Sequence, residues 1–246
     1  MKRYLMVSVA LAIAVLALTA FVISSQAASA ATATEVGSAV GGVNAVEYIG
    51  RIDQDGSNFV SYGYLTHISG LTDTLLFSGT IPFVNESNAY FTFYTTATLT
   101  ARNVITGAFN SITSSVFMID AIGTTVYYFN AIPGAAFANP ASFKAGVPVM
   151  TATVRSQNIL NVQAPSRGIG TNFSEFTQTG VGPFTLNGQP YQIGRVGVLE
   201  RLFSTGEGTN IDPLTPKSIT LVAGNAVVTG LPGQQSFMPL IVRNAP

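Results

Sequence analysis

Ala89-Tyr90-Phe91-Thr92-Phe93-Tyr94-Thr95-Thr96-Ala97-Thr98-Leu99-Thr100-Ala101 repeats with a period of two. Ala89, Phe91, Phe93, Ala97, Leu99 and Ala101 fall on one side of an extended chain; Tyr90, Thr92, Tyr94, Thr96, Thr98 and Thr100 fall on the other. Successive side chains of a strand point to opposite faces, whereas a helix would scatter these residues around its circumference. The segment therefore reads as one long strand with an apolar side and a Thr/Tyr side. Residues 149–162 follow the same rule, with Met150, Ala152, Val154, Leu160 and Val162 opposing Thr151, Thr153, Arg155, Gln157 and Asn161. Further strands are expected at 43–52, 58–69, 74–78, 108–120, 122–130, 173–186, 191–204 and 218–229, segments in which β-branched and aromatic residues dominate.

Turn chemistry separates these segments. Asp55-Gly56 and Asn187-Gly188 tolerate positive φ, which predicts hairpins pairing 43–52 with 58–69 and 173–186 with 191–204. The stretch from Ile132 to Pro148 carries Pro133, Pro140 and Pro148 and breaks the alternation, so it is the longest expected loop, with a helical turn starting near Asn139. No segment sustains helical periodicity, and no fixed-length repeat suggests a propeller or solenoid. Long sequential hairpins whose edges must be managed predict an all-β fold, an antiparallel meander forming a β-barrel. A two-sheet β-sandwich is the alternative.

In layout the chain resembles lipocalin-like and dirigent-like barrels, although with no Trp it lacks the lipocalin G-x-W signature. Asn139-Pro140-Ala141-Ser142-Phe143 and Tyr191-Gln192-Ile193-Gly194-Arg195 resemble phrases of uncharacterised secreted bacterial proteins. That likeness would extend over much of residues 58–230 and carries no activity with it.

The N-terminus speaks to export. Lys2 and Arg3 precede an apolar run from Leu5 to Ile23, and Ala28-Ser29-Ala30 fits the small-residue rule for signal peptidase. Residues 1–30 are thus expected to be a signal peptide, with a retained N-terminal anchor as the other reading. Residues 31–42 are expected to be a flexible lead-in, and 43–246 a single all-β domain, secreted and without a transmembrane span after processing. There is no Cys, so no disulfide framework supports the fold, which suits a bacterial exported domain that relies on its core.

The chemistry on offer is sparse. Only 9% of residues are charged, and loss of Lys2 and Arg3 would leave nine basic residues against eleven acidic ones, so no basic stripe exists to hold nucleic acid. His67 is the only histidine, in phase with Phe59, Gly63 and Leu65, and no Cys or second His stands ready to complete a zinc site. No G-x-S-x-G elbow presents a nucleophile, and no cofactor is implied. Asp53-Gln54-Asp55-Gly56 resembles part of a calcium loop, making Asp53 and Asp55 the one metal candidate, but the third oxygen position is missing and the Gly serves a hairpin turn. Glu47, Asp120 and Glu200 each interrupt an otherwise apolar strand. The Tyr and Phe clusters either fill the core or line a cavity. An outer-membrane barrel would normally finish on an aromatic strand, whereas the last residues here are Arg243-Asn244-Ala245-Pro246. The expectation is a non-enzymatic secreted barrel that binds a small apolar molecule, with His67, Glu47, Arg155 and Tyr128 as ligand contacts. The alternatives are a structural or surface protein that meets a cell-envelope component, or an isomerase- or cyclase-type barrel enzyme.

Overall fold

The structure is a computed structural model that describes residues 32–37, 41–80, 82–109, 112–164, 166–212 and 214–231. The expected signal peptide and part of the expected lead-in lie outside the described residues. Eleven strands are present among those residues: β1 (Thr34–Val36), β2 (Asn44–Asp55), β3 (Asn58–Ile68), β4 (Phe91–Phe109), β5 (Ile112–Phe129), β6 (Val147–Ala164), β7 (Arg167–Val181), β8 (Phe184–Leu186), β9 (Gln189–Ile193), β10 (Leu199–Asp212) and β11 (Lys217–Gly230). Eight of them form one antiparallel ring in the order β10-β11-β2-β3-β4-β5-β6-β7, closed by the pairing of β7 with β10. The fold is all-β and barrel-like, and hydrogen bonds running right round the ring exclude the sandwich arrangement.

The register fixes how wide the ring is. Following paired residues from Ile68 through Val46, Ala226, Leu202, Ser174, Ser156, Ala121 and Leu99 passes round every strand of the ring. The Leu99 N–H then donates to the Ser57 carbonyl, so the path that left β3 at residue 68 comes back at residue 57, a stagger of 11. With the bulged Thr66 left out the stagger is ten, and eight strands so displaced tilt by about 41° and enclose a backbone diameter of about 16–17 Å. A smaller stagger would bring opposite walls closer together.

One end of the ring is sealed. Asn187 and Gly188, at φ 51° and 78°, close the tight β8–β9 hairpin, and β1 adds to β9 in parallel to make a separate three-stranded sheet. The Asn187-Gly188 turn is therefore where the sequence places it, but it joins β8 to β9 alone. The ring strands on either side, β7 and β10, pair directly with each other instead. Val36, Ile68, Leu76, Phe91, Phe184 and Ile193 are buried together at this end, and the Phe184 ring lies 5.1 Å from Phe91 and 5.9 Å from Tyr191. Thr34–Val36 thus belong to a sheet and not to a flexible lead-in.

Two other expectations change. The strands expected at 108–120 and 122–130 are one strand, β5; Gly123 sits in it because a Cβ there would lie 2.8 Å from the Ala97 Cβ. Residues 74–78 hold a short 3-10 turn, Asp73–Leu75, followed by the Phe77–Ala89 bridge.

The loop between β5 and β6 is a strap on the outside of the ring, with the expected turn at Pro140–Lys144. It explains why the outward tyrosines of β3 and β4 are not left in water. The Phe143 ring lies tilted 5.2 Å from that of Tyr62, Phe137 lies 5.0 Å from Phe143, and both Tyr62 and Phe143 are fully buried. The Thr92 hydroxyl donates to the Phe143 carbonyl at 2.7 Å, and Lys144 places its ammonium 4.9 Å from the Tyr94 ring. Phe143→Ala removes the anchor of this second core and is expected to cost about 3–5 kcal/mol. Urea unfolding checks this; a loss below about 1 kcal/mol would mean that the strap does not hold the wall.

Candidate functional site

Inward positions of the ring strands line a cavity of about 130 Å³. Its floor is apolar and aromatic: Tyr48 from β2, Leu65 from β3, Phe93 from β4, Tyr127 from β5, Phe176 from β7 and Leu202 from β10. Gly50 and Gly63 face each other across β2 and β3 and make the notch for the Phe93 ring. A Cβ on Gly50 would come 2.7 Å from Phe93 Cζ, and one on Gly63 would come 2.8 Å from Cε1. The Phe93 ring also meets Tyr48 edge to face at 5.3 Å.

Above the floor, toward the hairpins, runs a belt of hydroxyls and amides that includes Ser61, Thr95, Ser156, Asn172, Ser174 and Ser204. Much of the belt is held by its own bonds. The Asn172 amide donates to Asn158 Oδ1 at 2.6 Å, Ser174 Oγ lies 2.9 Å from Ser156 Oγ, and the Thr95 hydroxyl donates to Thr125 at 2.7 Å. Such a belt keeps its shape without a ligand. Among the described residues no Asp, Glu, Lys, Arg or His lines the cavity.

A buried acid lies near the aromatic floor. Glu200, inward on β10 and 2% exposed, accepts from the Gln178 amide at 3.0 Å. Gln178 is itself locked in place, its N–H bonded to the Val198 carbonyl and its carbonyl to the Gly197 N–H. Gly194 lies directly against it, and a Cβ there would come 2.6 Å from Gln178 Nε2. Burial first, and then the charges of Glu200 and Tyr48, push the Tyr127 phenol well above its ordinary value. Burial does the same for Tyr48, partly opposed by its hydrogen bond with Ser204.

The residues proposed from sequence as ligand contacts lie elsewhere. Glu47 and His67 are brought together as a cross-strand pair, but not on the cavity lining. A bulge makes Tyr48 face Leu65 while Glu47 faces His67, so Thr66 is skipped and the phase that puts Leu65 inward is reversed by residue 67. His67 Nδ1 lies 2.8 Å from Asp73 Oδ1, and Glu47 accepts from the Asn44 amide at 2.7 Å. Arg155 is on the outer face of β6, 73% exposed, where Glu175 lies between it and Arg201. Tyr128 is half-buried, outward on β5, and does not line the cavity. Asp53 accepts two hydrogen bonds from Arg51 and one from Tyr62, while Asp55 faces Lys217 at 3.6 Å. Among the described residues no group of three metal-ligating side chains comes together. Of the acids that interrupt apolar strands, Glu200 alone is buried.

Comparison with protein-family models, with curated proteins and with solved structures returned no match. Among the described residues no helix is long and apolar enough to cross a membrane.

The raised phenols give a pH signature. Their folded pKa values lie above the unfolded value, so the stability they contribute is complete below about pH 10 and is lost as the pH climbs beyond it. Urea midpoints should show no tyrosine-linked loss between about pH 8 and 9.5 and should fall above about pH 10. Phenolate absorbance of the folded protein should lag behind that of the denatured chain. Complete tyrosine ionisation near pH 10 with the fold intact would contradict a buried Tyr48 and Tyr127.

Proposed function

We propose that this chain is an exported binding protein that takes a small, uncharged, largely apolar molecule into the lumen of its ring. The observation that carries the reading is the lining itself. An aromatic floor lies under a preorganised hydroxyl and amide belt, with no charged side chain among the described residues of the wall. A charged ligand would lose its hydration there and meet no opposite charge, which is a net cost. An uncharged molecule gives up apolar surface to the floor and finds hydrogen-bond partners in the belt. The volume of about 130 Å³ suits a single ring, near the size of apolar cavities that hold benzene.

The polarity of the lumen, and ion pairs on part of an outer wall that also exposes Ile122, Phe173 and Leu221, favour a water-filled setting over a lipid one. Barrels that span membranes carry their apolar band outside and a polar lumen within. Here the lumen floor is apolar, and the outer wall bears ion pairs such as Arg201–Glu175 and Arg51–Asp53. The leader-like first thirty residues support export.

Native mass spectrometry with neutral single-ring probes tests the reading. The wild type should retain one probe molecule per chain. Ala121→Phe, which puts a ring into the lumen from an inward position of β5, should abolish retention while the far-ultraviolet circular dichroism stays that of a β protein. Equal retention by wild type and variant, or none by folded wild type, would overturn the proposal.

A further inference from the structure

We infer that the lumen selects ligands carrying a carbonyl oxygen at their inward end, and that the Tyr127 hydroxyl receives that oxygen. The inference deepens the binding reading above and rests on it. Tyr127 projects from β5 into the floor, is 3% exposed and lines the cavity. A ligand that displaces water from this hydroxyl has to replace the hydrogen bond that the water supplied. Ser204 acts on the phenol of Tyr48, across the floor on β2. No hydrogen bond joins the Tyr127 hydroxyl to another described residue; its interactions with Glu200 and Tyr48 are electrostatic. It is the polar group of the floor that a ligand has to satisfy.

The hydrogen that this hydroxyl presents to the lumen decides which ligand atom fits. Burial first, and then Glu200 and Tyr48, keep the proton on the Tyr127 phenol. Tyr127 therefore meets the ligand as an O–H donor, which calls for an acceptor. A carbonyl oxygen accepts without bringing a donor of its own, so it leaves no unpaired hydrogen in an aromatic pocket. The rest of the ligand lies against Phe93, Phe176 and Leu202 and stays uncharged. An aldehyde or ketone on a single ring meets both conditions.

A matched pair of probes isolates the oxygen: cyclohexanone, and methylenecyclohexane, in which a CH₂ group replaces it at almost the same shape. Titration calorimetry should show Tyr127→Phe weakening cyclohexanone by about tenfold, as loss of one buried hydrogen bond does, and leaving methylenecyclohexane within about twofold. The infrared carbonyl stretch of cyclohexanone bound to the wild type should move to lower frequency, and in the variant that shift should vanish. The infrared reading on the wild type stands even if the variant is less stable. If both probes bind the wild type but the variant weakens them equally, or the carbonyl stretch stays unshifted, the inference is overturned while the binding reading survives. If folded wild type binds neither probe, both fall.

Discussion

The stagger of the hydrogen-bond ring is the constraint on which the rest of the molecule depends. Eight strands displaced by ten residues around the circuit, the bulged Thr66 aside, open to about 16–17 Å across. That is wider than inward side chains of ordinary size can fill all the way up. Large residues close the lower part, where Phe93, Tyr127, Phe176 and Leu202 reach toward one another. Higher up, Ser, Thr, Asn and Gly alternate with fewer large residues such as Ile52, Phe59 and Ile119, and the short ones do not meet across the lumen. The cavity follows from ring width and side-chain length together; neither alone produces it.

Closure of the ring also decides where the aromatic residues go. Alternation sends half of each strand outward, and on β3 and β4 that half includes Tyr62, Tyr64 and Tyr94. The strap after β5 turns this wall into a second core by laying Phe137 and Phe143 against it. A third group, Phe91, Phe129, Phe184 and Tyr191, seals the base with the small sheet. The molecule is thus packed on one outer wall, packed at the base and left open in the lumen toward the hairpins. The outer faces of β7 and β10 are different again, with the Phe173 and Phe203 rings 5.4 Å apart and both exposed.

Much of the ring was legible because a period of two survives in a single sequence. The Phe91–Phe93–Ala97 side of β4 is the inner side, and the Met150–Ala152–Val154 side of β6 is the inner side as well. The polar belt was present in the same pattern as its exceptions. Thr95 lies in phase with Phe93 and Ala97, while Ser156 and Asn158 lie in phase with Val154 and Leu160, so hydroxyls and amides stand where apolar residues would be expected. That signal marks a lumen with a polar belt above its apolar floor, and the charged residues alone do not reveal it. His67 was unreadable for a different reason. One skipped residue, Thr66, reverses the faces of β3, and nothing in the local sequence announces a bulge. The nesting of β8 and β9 between β7 and β10 was equally hidden, since Asn187-Gly188 specifies a tight turn and not how far the pairing extends from it.

The central claim is that the lumen is an open, apolar-floored cavity and not a collapsed core. A crystal of the protein pressurised with xenon tests it most directly, because xenon enters dry apolar space of this size and binds through dispersion alone. The account predicts a xenon atom between Tyr127, Phe176 and Leu202. Continuous side-chain density in that space, with no xenon bound, would contradict it.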